Sequence, residues 1–460
     1  MKDVLSSVQE TFEADVLGAL FAGLVSSGVR HAVLRNYEQL PRSVGARDID
    51  IVVHPEDLRA ACAVVTGTAE TRGLRYGNFF SDERLTQFAL VGRDEIGGLL
   101  QIKIDFFVRS EIYGIQFLSA QEMLADARDH NGVAVVADHV LVLDKWLFHL
   151  LVGKALGAKY DATFAAIAQD RPTPLIASLS RLLPQIRAAA LVDALAEGKG
   201  STLVLPKSER RRALRRLWRA QGARALRRSL RFAAYRLRDR LRPHGVFLSI
   251  SGPDGAGKTT VIDMVIAQVE AIFGKGNIHY AHFRPTLLPR IAEVAKKARA
   301  VETVDENYDQ PHRAKPSGVL GSTARLAYYW LDYLGGYMRS VRPVLKRREV
   351  ILFDRYYYDM IADSFRSRIA LPMPFLRLMG RLLPLPQHAF FIQVDPDEIL
   401  RRKQELTMER IIELNGRYGA LVERGWLTSI DNNGPPEVAA ATIVDTIVMA
   451  RDAHARKAMR

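Results

Sequence analysis

The chain carries a single cysteine, Cys62, in 460 residues. That excludes an intrachain disulfide, and the 11 histidines fall in no spacing that suits a zinc site. Long apolar runs are also missing. No stretch reaches the ~18 uninterrupted apolar residues of a membrane-spanning helix. The opening MKDVLSSVQETFEADVL has early acids where a secretory signal is basic and then apolar. These absences set the expectation of a cytoplasmic protein. There is no internal repeat, and no low-complexity tract apart from one basic segment. What remains is ordinary: 48% apolar and 25% charged residues, the balance of a soluble globular protein long enough for two or three domains.

Acidic residues are scarce in one place only. Positions 207–242 hold 15 Lys and Arg against Glu209 and Asp239, a net +13, while the rest of the chain has 50 basic and 49 acidic residues. The formal net charge of +14 is therefore almost entirely local. Leu226, Leu230, Ala234, Leu237 and Leu241 recur there at helical spacing. Leu214, Leu217 and Trp218 form a second patch, with Gly222 between the two. A basic amphipathic helix suits a membrane surface or another anionic partner. Nucleic acid attracts the same residues, but no nucleic-acid motif accompanies them and no specific nucleic acid is expected. An interdomain helix with solvated or acid-paired arginines fits the pattern equally well.

The most informative run is GPDGAGKTT at 252–260. It matches Gly-x-x-x-x-Gly-Lys-[Ser/Thr] through Gly252, Gly257, Lys258 and Thr259. A short apolar strand, VFLSIS, precedes it, and an apolar-periodic helix follows. Strand, glycine loop and helix are what polyphosphate binding requires. The backbone N–H groups of Gly252, Pro253-Asp254-Gly255, Ala256, Gly257 and Thr260 lie along one loop at a helix N-terminus, although Pro253 itself has no N–H to give. Lys258 would reach the β- and γ-phosphates of ATP, and the Thr259 hydroxyl would ligate Mg²⁺. A second motif, EVILFDRYYYD at 349–359, is an apolar strand ending in Asp354-Arg355. An acid at a strand's carboxyl end can orient Mg²⁺ or a substrate hydroxyl, and an adjacent Arg can grip a transferring phosphoryl group.

Through these motifs the stretch from about 245 to 460 resembles the thymidylate kinase family of nucleoside monophosphate kinases. Asp354-Arg355-Tyr356 matches that family's Asp-Arg-Tyr, and the loop match includes Asp254. Phe283-Arg284-Pro285 stands where the family has Arg-Glu-Pro near the acceptor phosphate. IQVDPDEILRRK at 392–403 resembles the approach to its basic lid, which makes Arg401, Arg402 and Lys403 lid cations. TSIDNN at 428–433 resembles the last strand and the loop beside the adenine. The resemblance implies Mg²⁺ and ATP, with Lys258, Asp354 and Arg355 catalytic and Arg284 and Arg355 on the acceptor phosphate. Two departures lie on the acceptor side. The family's Ala-Asp-Arg is represented by a stretch containing Asp332-Tyr333, and its Tyr-Gln by Ile361-Ala362-Asp363. Tyr333, with Tyr328, Tyr329, Trp330 and Tyr337, can form a stacking surface for the acceptor or simply belong to the core.

The N-terminal part has its own constellation. ARDIDIVVH at 46–54 places Asp48 and Asp50 two apart on a predicted strand, so both face one side. LLQIKIDFFV at 99–108 adds Asp105 on the same face as Lys103. Three carboxylates so arranged can hold a second Mg²⁺. HAVLRNYEQLP with DID and IKID resembles the minimal nucleotidyltransferase superfamily over roughly residues 5–110. That family has a Gly-Ser or Gly-Gly pair where this chain has Arg35-Asn36. The fused halves resemble bacterial proteins associated with surface polysaccharide synthesis.

The expected architecture is α/β. It comprises an α+β nucleotidyltransferase-like domain at 1–136, a helical extension at 137–205, a basic amphipathic linker at 206–243, and a P-loop kinase domain with a helix-flanked parallel sheet at 244–460. The expected activity is phosphoryl transfer from Mg·ATP to a nucleotide monophosphate or phosphorylated sugar. The alternative is a nucleotide-binding switch or scaffold with little turnover, docked by its basic segment on an anionic membrane surface.

Overall fold

A computed structural model describes residues 2–45, 48–94, 97–241, 244–284, 318–364, 366–367, 369–404 and 406–460. Ala46, Pro243, Arg242 and Pro285, which the sequence motifs include, lie outside them. The chain divides into two compact units, 1–239 with 452–460, and 240–451.

The first unit is built on a seven-stranded mixed sheet. Its strands are β1 (His31–Arg35), β2 (Ile49–Val53), β3 (Arg75–Ser81), β4 (Leu85–Arg93), β5 (Leu99–Phe107), β8 (Arg128–His130) and β9 (Val133–Val135), in the order β3-β4-β5-β2-β1-β9-β8. β6 (Arg109–Ile112) and β7 (Ile115–Ser119) form a separate ribbon. Alternation along a strand sends successive side chains to opposite faces. One face therefore buries Val33, Ile49, Ile51 and Val53 against the helices Lys2–Ser26 and Leu58–Thr71, through Val16, Leu17, Leu20, Leu24, Ala61 and Val65. Gly23 permits that close helix packing, because a Cβ there would lie 2.6 Å from Val64 Cγ1. The other face buries Ala32, Leu34 and Val52 against Trp146, Leu150, Phe164 and Leu191. Each such aliphatic side chain contributes about 1.5–3 kcal/mol relative to exposure.

The basic segment is two helices, Lys207–Gln221 and Ala223–Leu241, interrupted at Gly222, whose φ is 51°. The first is anchored in the same core by Ala213 and Leu217, with Leu214 packed against it. Its Arg210 donates to Val152 O at 2.8 Å. Part of the apolar patch that the sequence offered for a surface role is thus core packing, supplied by the helices that precede it.

The second unit has a five-stranded, wholly parallel sheet. β10 (Val246–Ser251), β11 (Ile278–His282), β12 (Val350–Asp354), β13 (His388–Gln393) and β14 (Thr428–Asp431) lie in the order β11-β12-β10-β13-β14. A parallel sheet needs crossover helices that cover its faces, and its strands then read as apolar runs. Central β10 and β12 are buried at every position. Helix Lys258–Phe273 follows β10, so the glycine loop lies at the carboxyl end of the central strand. In parallel α/β sheets ligands gather at that end.

Candidate active site

The glycine loop leaves β10 and turns into helix Lys258–Phe273, with Gly257 at the helix N-cap at φ 81°. A side chain at Gly257 would be strained twice over. The φ is left-handed, and a Cβ would lie 2.8 Å from Asn432 Nδ2. Asn432 donates that Nδ2 to Ala256 O at 2.9 Å. The loop after β14 therefore fixes the glycine loop from the side. Pro253 and Ala256 are buried, whereas Thr259 and Thr260 are exposed in the first helical turn.

Lys258 folds back over this loop. It is 7% exposed and its Nζ donates to Pro253 O at 2.7 Å. Asp254 Oδ1 is 3.9 Å from the same Nζ. Burial, and then the neighbouring Arg355, lower its pKa to about 7, against the opposing pull of Asp254 and Asp354.

Asp354 ends β12 beside the loop. Burial alone would raise its pKa, but the hydrogen bond to His282 Nδ1, at 3.2 Å, and the charges of Lys258 and Arg355 hold it below the usual value. Tyr280 Oη also donates to its Oδ2, at 3.4 Å. Its Oδ1 is buried with no hydrogen-bond partner. An orphaned carboxylate oxygen next to a phosphate loop matches the oxygen-ligand chemistry of Mg²⁺, and a cation would remove the cost of burying it. Thr259 supplies an exposed hydroxyl at the start of the helix, so the donor set fits Mg·ATP.

Arg355 stands at φ 71° and is 4% exposed. Its Nη2 donates to Asp254 Oδ1 and its Nη1 to Asp359 Oδ1, at 2.5 and 3.0 Å. It is therefore engaged at both ends and acts as a brace between the glycine loop and the strand end; gripping an acceptor would require one of these pairs to open. Arg366 holds the other oxygen of Asp254 at 2.6 Å. Burial would raise the pKa of Asp254, but Arg355, Lys258 and Arg366 together push it far below the carboxylate range.

The sequence reading gave no role to Asp359, which organises this end of the sheet. It is 2% exposed and accepts from Ser251 Oγ at 2.6 Å, Tyr356 N at 3.1 Å, Arg355 Nη1 at 3.0 Å and Tyr418 Oη at 2.7 Å. Its i, i+4 spacing from Arg355 was the available signal. The contributions of Arg366 and Tyr418, from elsewhere in the chain, left none.

On the acceptor side, Arg284 lies 3.3 Å from the fully buried Asp332 Oδ2, with its guanidinium 4.7 Å from the Tyr329 ring centre. Tyr333 is not open to an acceptor. It is fully buried, donates its hydroxyl to Phe283 O at 3.2 Å, and packs edge-on against Tyr356 and Tyr357. Tyr329, Trp330 and Tyr337 pack against the same core, which favours the core reading of that aromatic stripe. Of the lid cations, Arg402 approaches the loop. It donates to Asn432 O at 3.1 Å, and its Nη1 would be 3.4 Å from a Cβ at Gly257. Lys403 Cβ would be 3.3 Å from a Cβ at Gly255. Arg401 is 77% exposed and paired with Glu398.

In the first unit, Asp48, Asp50 and Asp105 do converge, each offering an oxygen within 4.8 Å of the others. Asp48 immediately precedes β2, while Asp50 and Asp105 face each other across β2 and β5. Burial raises the Asp105 pKa to about 7, although Gln87 Nε2 donates to both its oxygens at 2.8 and 3.0 Å. The guanidinium of Arg35 already sits on Asp50 Oδ2 and is 3.6 Å from Asp144. The other Asp50 oxygen is buried without a partner. The donor types suit a divalent cation, but a resident arginine shares the site.

No protein-family model matches the chain. It is 23% identical over 199 residues to a probable thymidylate kinase of Staphylothermus marinus, a match covering 41% of this chain and 88% of that protein. It is 28% identical over 193 residues to a thymidylate kinase of Bacillus pumilus, covering 40% and 80%. With a thymidylate kinase of Limosilactobacillus reuteri the identity is 30% over 124 residues, covering 27% and 51%. Among solved structures, thymidylate kinase from Ehrlichia chaffeensis is matched over 45% of this chain and 100% of its own at 15% identity, with a TM-score of 0.31. About two fifths of the chain is thus homologous to thymidylate kinases.

Proposed function

We propose that the protein is an ATP-dependent phosphotransferase of the nucleoside monophosphate kinase type. The observation that carries this reading is the convergence, at the carboxyl ends of β10 and β12, of the glycine loop, buried Lys258 and Asp354 with its orphaned oxygen. An acceptor phosphate oxygen displaces ADP from the γ-phosphorus of ATP. The loop amides and Lys258 hold the donor and concentrate positive charge where negative charge moves. Magnesium, held by Thr259 and Asp354, would neutralise the β- and γ-phosphates. Arg355 keeps Asp254 in place, Arg284 meets the acceptor phosphate on parting from Asp332, and Arg402 and Lys403 close over the donor. In the first unit, Asp48, Asp50 and Asp105 form a nucleotidyltransferase-like cation site gated by Arg35. The chain serves surface polysaccharide synthesis at an anionic membrane surface, reached through its basic segment. Incubation with Mg·ATP and a competent acceptor should release ADP, and release that ignores every acceptor would contradict the reading.

The acceptor is a nucleotide monophosphate or a phosphorylated sugar, and dTMP is expected to be a poor one. Arg284 is engaged by Asp332, and Tyr333 is core. Asp332-Tyr333 stands where the family's Ala-Asp-Arg would supply a further cation. A steady-state assay with dTMP and with sugar phosphates checks this; efficient dTDP formation would show the acceptor side to be intact.

Donor binding should be linked to protons. Burial and Arg355 lower the Lys258 pKa to about 7, whereas a bound polyphosphate favours the charged ammonium. Affinity for ATP should therefore fall as pH rises above 7, by at most about tenfold per pH unit. Calorimetry at pH 8 in two buffers of different ionisation enthalpy should give different apparent heats, from proton uptake. Equal heats would mean that Lys258 is charged in the empty loop.

A further inference from the structure

We infer that the helix Ala223–Leu241 is a surface-seating element for anionic lipid, which lies flat on the membrane by one face while its opposite face stays attached to the first unit. This rests on the surface-docking reading of the whole basic segment and narrows it to a single helix.

The back of the helix is occupied. Ala225 is buried. Ser229 Oγ donates to Tyr113 O at 2.9 Å, the Phe232 ring meets Tyr113 at 6.2 Å, and the Tyr235 ring meets Phe80 edge-on at 5.4 Å. The approach is close: a Cβ at Gly114, itself at φ 84°, would lie 2.6 Å from Ser229 N. Arg228, half-buried on this side, donates to Gln221 Oε1 at 3.1 Å.

The front is different. Leu226, Leu230, Leu237 and Leu241 are each between 50 and 62% exposed. At about 100° per residue their spacing of four, seven and four places them within an arc of about 60°. Arg227 and Arg238 lie beside that arc, about 40–60° beyond its edge, with Arg231 and Arg224 farther round the same side, and Arg236 lies about 80° beyond the other edge, over the Phe232 ring; all five are exposed. Arg231 reaches back to Glu83. An apolar strip edged by guanidinium groups matches a lipid interface, where leucines enter the acyl boundary and arginines meet phosphates. A second copy of the same face would set like charges against each other, so charge complementarity favours lipid. The preceding helix presents no comparable strip: its Ala213 and Leu217 are in the core, and Trp218 is its one large apolar side chain that is exposed.

The test is flotation of the full chain with vesicles of equal parts phosphatidylserine and phosphatidylcholine. The intact protein should float, less so as salt rises from about 0.05 to 0.5 M, and should not float with phosphatidylcholine alone. The variant Leu226→Ser, Leu230→Ser, Leu237→Ser and Leu241→Ser should keep its melting temperature and lose about tenfold or more in binding. Lysine at the same four positions adds positive charge and should also abolish seating; tighter binding would instead mean plain electrostatic attraction and overturn the inference. Failure of the intact protein to float overturns both this inference and the broader docking reading. Floating that survives the serine substitutions overturns only the narrowing. Equal binding to neutral vesicles, tighter binding to duplex DNA, or a leucine-dependent dimer by light scattering would each overturn the lipid assignment.

Discussion

The variant Lys258→Ala should lose phosphoryl transfer by at least about a hundredfold and remain folded. Lys258 is a buried point charge, with Nζ on a loop carbonyl at 2.7 Å and a carboxylate 3.9 Å away. Its depressed pKa, caused first by burial and next by Arg355, shows that the fold does not favour its charged form. Removing the ammonium therefore relieves desolvation and repulsion from Arg355 and should change stability by no more than about 1 kcal/mol. What the variant removes is the ammonium that the proposed site sets at the donor phosphates. Turnover and thermal unfolding measured on the same preparation check both halves. Unchanged turnover would remove Lys258 from the chemistry, and collapse of the fold would make it a structural residue.

Asp359→Ala should produce the largest loss of stability, roughly 3–5 kcal/mol. The carboxylate receives two hydroxyls, one backbone N–H and one guanidinium nitrogen in a site that is 2% exposed. Its removal strands Arg355, which is 4% exposed, with Asp254 as its remaining carboxylate partner at the loop, and leaves the hydroxyls of Ser251 and Tyr418 buried without their acceptor. Asp359→Asn keeps the shape but not the charge, so it should cost less than alanine. Urea unfolding of the second unit within the full chain measures both. A loss under about 1 kcal/mol for the alanine variant would mean that water or a rotated side chain replaces the carboxylate.

The parts of this site that the sequence revealed are those whose physics is local. A glycine loop between an apolar strand and an apolar-periodic helix announces a phosphate cradle within fifteen residues, and an acid at the end of an apolar strand announces a ligand at the sheet's carboxyl edge. The three N-terminal carboxylates were legible for the same reason, since strand alternation dictates their common side. Arg35 was legible as a departure from the family's glycine pair and as a cation able to contact a phosphate. That it would lie on Asp50 depended on the pairing of β1 with β2, whose register sets Arg35 opposite Asp50.

What stayed hidden is long-range. Arg366 and Tyr418 reach Asp254 and Asp359 from other segments, and no spacing rule links them. The engagement of Arg284 by Asp332 crosses from the end of β11 to a later helix. Asp332-Tyr333 could be read as a departure but not as a lock on the acceptor arginine. The basic segment shows both cases. Its charge and periodicity were plain, yet only packing separates Leu217, buried among the preceding helices, from the exposed leucines of Ala223–Leu241.

The central claim is acceptor-dependent phosphoryl transfer, and the most direct test is mass spectrometry of candidate acceptors incubated with the protein, Mg²⁺ and ATP. The account predicts that one nucleotide monophosphate or sugar phosphate gains a single phosphoryl group, in step with ADP and absent with Lys258→Ala. Tight ATP binding with no acceptor modified and no ADP formed would contradict it and would leave a nucleotide-binding switch in its place.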